Sequence, residues 1–322
     1  MFADHAQSGK LLHRPRFLLL LFAAVFAAFF VVDFSQSRIA YLFAPVIGAP
    51  PAVGLHARFV VNLTLALLLC ANIFGLSFLR FRVQVLVVWV ELLVLSLGFF
   101  YLFDLSLAFM QRKIGFMVTQ GVVTTLYLSA VSIAIASVIA LIGAVAKLSS
   151  NGFAYSIATF YISIFRGLPL LVQVYLIYLG LPQLGFVIDA VPAGIVALSL
   201  CYGAYMAEIF RAGILGIPRG QWEGARALGF KFGLTMRLVI LPQSIPLIIP
   251  PTGNQFIAML KDSSLVSVLG VWEIMFLART QGQAEFRHME MLVMAALIYW
   301  LLSIILEAIQ ARVENHFRRA SN

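Results

Sequence analysis

Charge is scarce in this chain of 322 residues, only 11% of which are Asp, Glu, Lys or Arg. Cysteine is scarcer still: Cys70 and Cys201 stand alone, each inside an apolar run. Thiols so placed read as small buried hydrophobes and suggest neither a disulfide framework nor a metal site. His5, His13, His56, His288 and His316 are scattered, so no ligand cluster is visible and no metal is expected. The phosphate-loop pattern G-x-x-x-x-G-K-[ST] is missing, so the chain is not expected to bind and hydrolyse ATP alone. H-E-x-x-H and G-x-S-x-G are missing too, which removes two common hydrolase chemistries. The chain therefore reads as non-catalytic, with no cofactor of its own.

What is present is apolar. Hydrophobic residues make up 62% of the chain and the mean hydropathy is +1.00, so the bilayer is its solvent. A net charge of +9 could signal nucleic acid in a soluble protein. Here it reads as Lys and Arg placed on cytoplasmic loops, with membrane lipid as neighbour and no nucleic-acid partner. Eight runs are long enough to cross as helices: 17–32, 59–79, 83–103, 119–146, 155–181, 190–210, 238–260 and 289–311. The first is short. It could be a signal peptide with Ser35-Gln36-Ser37 as its small-x-small site, although the downstream charges fit an uncleaved anchor. With the N-terminus inside, the inner segments hold 14 Lys and Arg and the outer ones 7. That bias predicts both termini and the 211–237 loop on the cytoplasmic side.

A seam near residue 110 divides the sequence. Residues 1–110 hold about three spans with little punctuation and read as an added membrane extension. Residues 111–315 hold five spans rich in Gly, Pro and intramembrane polar residues and read as the working unit. Residues 316–322 form a cytoplasmic tail.

The longest basic segment runs from Glu208 to Pro242 and carries Arg211, Arg219, Arg226, Lys231 and Arg237 against Glu208 and Glu223. Pro218 suits a helix start, and Gln221 to Leu228 reads as a short helix. Gly229 supplies a stop in the left-handed conformation. A second short helical run is predicted from Phe230 to Leu241, with Pro242 and Pro246 as punctuation. Gly216, Gly220 and Gly224 recur every four residues as a small-residue stripe. Two short helices meeting at Gly229 would make a compact knob for a soluble partner; a solvated basic loop on lipid headgroups is the plainer alternative.

Inside the spans, Arg166 is the lone basic residue, and Gly167 and Pro169 predict a kink or break beside it. Broken helices mark transport sites, so Arg166 reads as a gate or pathway element, or else as a helix-end residue bonded to carbonyls. Pro242, Pro246 and Pro250 are four apart on one face of the seventh span. Asn254 and Gln255 offer amides suited to an amino acid, or to interhelical bonding. Lys261 and Asp262 are expected to pair with each other, or else to meet substrate or a binding protein. Glu91 has no evident partner in its own helix, and Asn62 and Asn72 suggest interhelical bonds.

The residues resemble a known family. Glu223-Gly224-Ala225, Gly229 and Ile240-x-Pro242 are similar to the EAA loop of permease subunits of ATP-binding-cassette importers, with Gly224 where Ala is usual. The wider resemblance is to the polar amino-acid permeases of the histidine/glutamine type. It rests on Phe165-Arg166-Gly167-Leu168-Pro169-Leu170-Leu171-Val172-Gln173 and Ile217-Pro218-Arg219-Gly220-Gln221-Trp222-Glu223. It continues through Asn254-Gln255-Phe256 and Lys261-Asp262-Ser263-Ser264-Leu265. Leu168 and Ser263 stand where Thr is usual. The likeness covers roughly residues 115–315.

This resemblance implies an all-α polytopic membrane protein of the bacterial inner membrane. Its five-helix core would have the type I importer permease fold, preceded by about three extra helices. It implies a dimer of ATPase subunits that bind the ATP, and a second permease, identical or paralogous. An extracytoplasmic substrate-binding protein would deliver polar amino acids. Glu223, Gly224, Ala225, Gly229, Ile240 and Pro242 would form the coupling loop, 211–241. Arg166, Gly167, Pro169, Gln173, Asn254, Gln255, Lys261, Asp262, Ser263 and Ser264 would line the pathway or its gate. The rivals are an ion-coupled secondary transporter, which predicts an inverted repeat and intramembrane acids, and a membrane-bound sensor or docking protein, which predicts catalytic clusters or a soluble domain. None of these features stands out.

Overall fold

A computed structural model describes residues 14–47, 54–102 and 105–320. They are helical nearly throughout. Among these residues seven helices are long and apolar enough to cross a membrane, and the bent pair Gly152–Gly167 and Leu170–Gln183 makes eight where it is counted as one broken span. On that count each of the eight apolar runs has its helix. The chain divides into two compact units, Met1–Leu105 and Ser106–Asn322.

The first unit contains α1 (Pro15–Val32), α2 (Leu55–Leu76) and α3 (Phe81–Leu102). Asp33 turns the chain after α1 with a left-handed backbone, and its carboxylate accepts from the Ser35 hydroxyl at 2.6 Å. That bond, with the Arg58 guanidinium at 3.5 Å, holds the Asp33 carboxyl below its usual range. Asn62 accepts from the Phe34 N–H at 3.2 Å. Glu91, without a partner on its own helix, accepts from Asn72 Nδ2 of α2 at 2.6 Å. Such a bond satisfies two groups that hydrocarbon would leave unpaired.

The second unit begins with α4, a long helix built from Leu107–Phe116, a π-helical turn at Met117–Val122 and Val123–Leu148. Next come α5 (Gly152–Gly167) and α6 (Leu170–Gln183), bent by 108° against each other. Then follow α7 (Ala190–Leu215) and the short α8 (Arg219–Ala227). α9 joins Phe232–Thr235, a π-helical turn at Met236–Ile240 and Leu241–Asp262 into one helix, which tightens into a 3-10 stretch at Ser263–Leu269. The unit closes with α10 (Ile274–Ala284) and α11 (His288–Ala320).

α7 is the central helix, and its sequence says why. In a bilayer lipid tails are as apolar as leucine, so helices associate where small residues let backbones approach. A Cβ placed on Gly194 would lie 2.4 Å from Val266 Cγ1, and one on Gly213 would lie 2.4 Å from Ile248 Cγ1. Hydroxyls add interhelical bonds: Ser199 Oγ donates to the Ser132 carbonyl at 3.3 Å, and Tyr161 Oη to the Leu200 carbonyl at 2.6 Å. At one end of the same seam Glu208 bridges Lys147 of α4 and Arg211 of its own helix.

α10 is seated by Ile274, Leu277 and Ala278 against Phe109 and Met117 of α4 and Met291 and Met294 of α11. Glu273 caps its start, accepting from the Met275 and Phe276 N–H groups at 2.9 and 2.6 Å and from Tyr299 Oη at 2.6 Å. These donors favour its carboxylate, but complete burial outweighs them and pushes the acid up to about 7.

One sequence expectation is corrected here. The run from Phe230 to Leu241 is not a separate short helix, and Pro242 is not a boundary. The π-helical turn carries the Leu241 N–H to the Met236 carbonyl, five residues back. Pro242 follows without a donor to lose, and α9 continues through it. The glycine stripe is interrupted as well. Gly216 ends α7 while Gly220 and Gly224 lie on α8, with open space beside both.

Candidate functional site

The break between α5 and α6 follows from three residues. Gly167 ends α5, Leu168 is extended because a proline follows it, and Pro169 starts the next helix. Proline has no N–H, so the Phe165 carbonyl, four residues earlier, loses its helical donor. Gln173 replaces it: its Nε2 donates to Phe165 O at 2.9 Å and to Leu168 O at 2.8 Å. The Cys201 thiol of α7 also donates toward Phe165 O, at 3.8 Å. Gln173 is 2% exposed and sits behind the break, holding its shape.

In front of the break lies a cavity of about 470 Å³. Arg166, Pro169, Tyr202, Tyr205, Gln255 and Asp262 supply much of its lining. The Arg166 guanidinium stands 5.3 Å from the centre of the Tyr205 ring, a cation–π arrangement. Tyr202 Oη donates to Asp262 Oδ2 at 2.7 Å. One cation, one anion, an amide and two aromatic faces thus share one small space.

Of the pathway candidates, Arg166, Gly167, Pro169, Gln255 and Asp262 come together at this cavity. Gln173, Asn254, Lys261, Ser263 and Ser264 are not among its lining residues. Asn254 and Gln255 are neighbours in sequence but about 100° apart around α9. Asn254 turns to α11 and accepts from Gln310 Nε2 at 3.0 Å, in a join where Gln310 also donates to the Pro250 carbonyl. Ser263 is buried and its hydroxyl returns to the Leu260 carbonyl at 2.7 Å. The expected pairing of Lys261 with Asp262 is not made: among the described residues no ion pair joins them, and the carboxylate takes the Tyr202 hydroxyl instead. Adjacent helical residues point too far apart to pair. Tyr202 and Tyr205 were not singled out from the sequence. Their signal was present: two polar-tipped aromatics three apart inside an otherwise apolar span.

The loop after α7 is capped and packed, unlike a solvated basic segment. α8 ends in a Schellman closure, with Gly229 N–H donating to Arg226 O at 2.9 Å and Phe230 N–H to Ala225 O at 3.0 Å. Gly229 takes φ +78°, which a side chain would resist. Ile240 is buried with Ile214, Ile217 and Met236, and Trp222 of α8 packs against them. Ala225 is buried, whereas Glu223 and Gly224 are exposed. Glu223 shares a cavity of about 460 Å³ with Arg219, Trp222, Arg226, Phe232 and Leu148. The loop is thereby fastened at once to α4, α7 and α9.

Comparison with known proteins fits this geometry. Residues 136–319 match the family model described as binding-protein-dependent transport system inner membrane component. The chain is 40% identical over 202 residues to the arginine transport system permease protein ArtQ of Bacillus subtilis, covering 62% of this chain and 92% of that protein. It is 36% identical over 222 residues to the probable amino-acid ABC transporter permease protein YckA of the same organism, covering 69% and 97%. Among solved structures, an amino acid ABC transporter crystallised with histidines matches with a TM-score of 0.61 at 36% identity, covering 66% of this chain and 99% of that one. The inward-facing methionine transporter MetNI matches in fold, with a TM-score of 0.55 at 21% identity, covering 63% and 96%.

Proposed function

The chain belongs to the family of binding-protein-dependent transport system inner membrane components, and we propose that it is the translocating permease of an ATP-driven uptake system for polar amino acids. It is a multi-pass inner-membrane protein and an amino-acid ABC-importer permease. The observation that carries the finer reading is the cavity at the α5–α6 break. A free amino acid presents a carboxylate and an ammonium a few ångströms apart. Arg166 suits the carboxylate, by charge-assisted hydrogen bonds. Asp262, one oxygen of which is held by Tyr202, suits the ammonium together with the Tyr205 face. Gln255 adds an amide that reads either end.

In this reading both termini and α8 lie on the cytoplasmic side. Two separate ATPase subunits bind ATP, and each takes one permease's α8 knob, with Glu223 and Gly229 setting the knob's form. A second permease, identical or paralogous, completes the pathway. Closure of the ATPases shifts the population of inward- and outward-facing states at a distance. α9 is suited to carry that motion. One end of it, Phe232, sits at the loop, and Gln255 and Asp262 stand at the cavity about 35 and 45 Å farther along.

The test is reconstitution with the partner ATPase and binding protein in proteoliposomes, offered a panel of labelled amino acids. ATP-dependent uptake of a polar amino acid is expected, and Arg166→Leu should abolish it while the complex still assembles. Uptake that needs only an ion gradient would overturn the reading.

A further inference from the structure

α10 closes as α8 does. The Phe286 N–H donates to Gln283 O at 3.4 Å and the Arg287 N–H to Gly282 O at 2.9 Å, the two bonds of a Schellman closure. In α8 the left-handed position is Gly229. In α10 it is Phe286, at φ +54°. A β-carbon in that conformation crowds the following carbonyl, so glycine or asparagine is the ordinary choice. The other non-glycine residue with positive φ among those described is Asp33, a type that tolerates it and whose side chain is tied to Ser35. Phe286 has no such compensation, because it is 90% exposed. An unfavourable backbone with no packing gained inside the chain points to a partner outside it.

The surroundings fit a protein partner better than lipid. Glu285 and Arg287 flank the ring directly, half-exposed and ion-paired, Glu285 with Lys113 at 3.0 Å and Arg287 with Glu290 at 2.8 Å. Lys113 holds the Glu285 carboxyl below its usual range, so it stays charged. Charges on both sides keep this corner out of hydrocarbon. An apolar anchor inside a charged rim is the anatomy of a protein–protein hot spot. The corner carries Arg112, Lys113 and Arg287 against Glu285 and Glu290, so its surface is cationic.

We propose that Phe286 is a docking anchor for the extracytoplasmic substrate-binding protein, entering an apolar pocket rimmed by carboxylates on that protein. The inference rests on the importer reading above. The α10–α11 corner follows the end of α9 remote from α8 and packs on the start of α4, so on that reading it faces the side from which substrate arrives.

The experiment uses the full complex in nanodiscs and titrates the binding protein that supports uptake, reading stimulated ATP hydrolysis. Phe286→Gly should melt no lower than the wild-type complex while raising the half-saturating concentration of binding protein at least tenfold. Arg287→Ala should raise it by a few fold, more at low salt than at high salt. A photo-crosslinking benzoylphenylalanine at position 286 should capture the binding protein. Unchanged half-saturation in Phe286→Gly, a large fall in its melting temperature, or capture of the second permease or of lipid would each overturn the docking role alone. A wild-type complex that the binding protein fails to stimulate would overturn the importer reading with it.

Discussion

Gln173 donates to the carbonyl of Phe165, the oxygen that Pro169 deprives of its helical donor. A side chain on one half of a broken span thus supplies what the break removes from the other half. Gln173→Leu keeps the volume and deletes the donor. It should destabilise the permease by about 1 kcal/mol, the net worth of a lost hydrogen bond, since the part-buried Phe165 carbonyl keeps the Cys201 thiol. Thermal unfolding of the purified complex measures this. Gln173→Asn, one methylene shorter, should not rescue it.

Gly229 is expected to matter for its backbone and not for its smallness. Gly229→Ala adds one carbon in open space at a left-handed residue and should cost about 1 kcal/mol. Substrate-stimulated ATP turnover should fall with it. Gly229→Asn tolerates the same φ and should keep most of the turnover. Equal loss in both variants would point to bulk at the partner surface instead.

Gly194 and Val266 form a close pair between α7 and the 3-10 stretch. Gly194→Ala should cost about 1–3 kcal/mol through overpacking. Val266→Ala in the same chain should recover part of that. A double-mutant cycle read by thermal unfolding should give a coupling of about 0.5–3 kcal/mol, as for residues in contact.

Glu273 predicts a pH dependence. Its folded-state pKa, about 7, lies above the ordinary 4.5, so the folded protein holds this proton more tightly than the unfolded chain. Its contribution to stability is fullest below about pH 4.5, declines as pH rises to about 7 and is flat beyond. Melting temperature measured between these limits should lose that component in Glu273→Gln.

The sequence carries the outline of this molecule more fully than its rotations. Long apolar runs give seven spanning helices and the bent pair at the place of the remaining run, because the requirement to satisfy backbone groups in lipid leaves little choice but helices. Gly167 and Pro169 mark the break, and Gly229 marks the end of α8, because each acts within a few residues of itself. Three other features depend on distant contacts. Asn254 and Gln255 part company because helical geometry separates them, and nothing local says which faces the cavity. Asp262 finds Tyr202, sixty residues away in sequence. Pro242 reads as a stop locally, yet the π-helical turn before it leaves α9 whole.

That turn at Met236–Ile240 is in effect one extra residue wound into α9. Removing one residue there would restore simple helical winding and leave everything beyond it at nearly the same phase, because the turn already absorbs that residue. The same deletion in the α-helical stretch that follows would swing Gln255 and Asp262 away from Arg166 by about 100°. The turn is therefore a slack in register beside the coupling loop, and the chemistry of the cavity tolerates the loss of a residue there and not farther along.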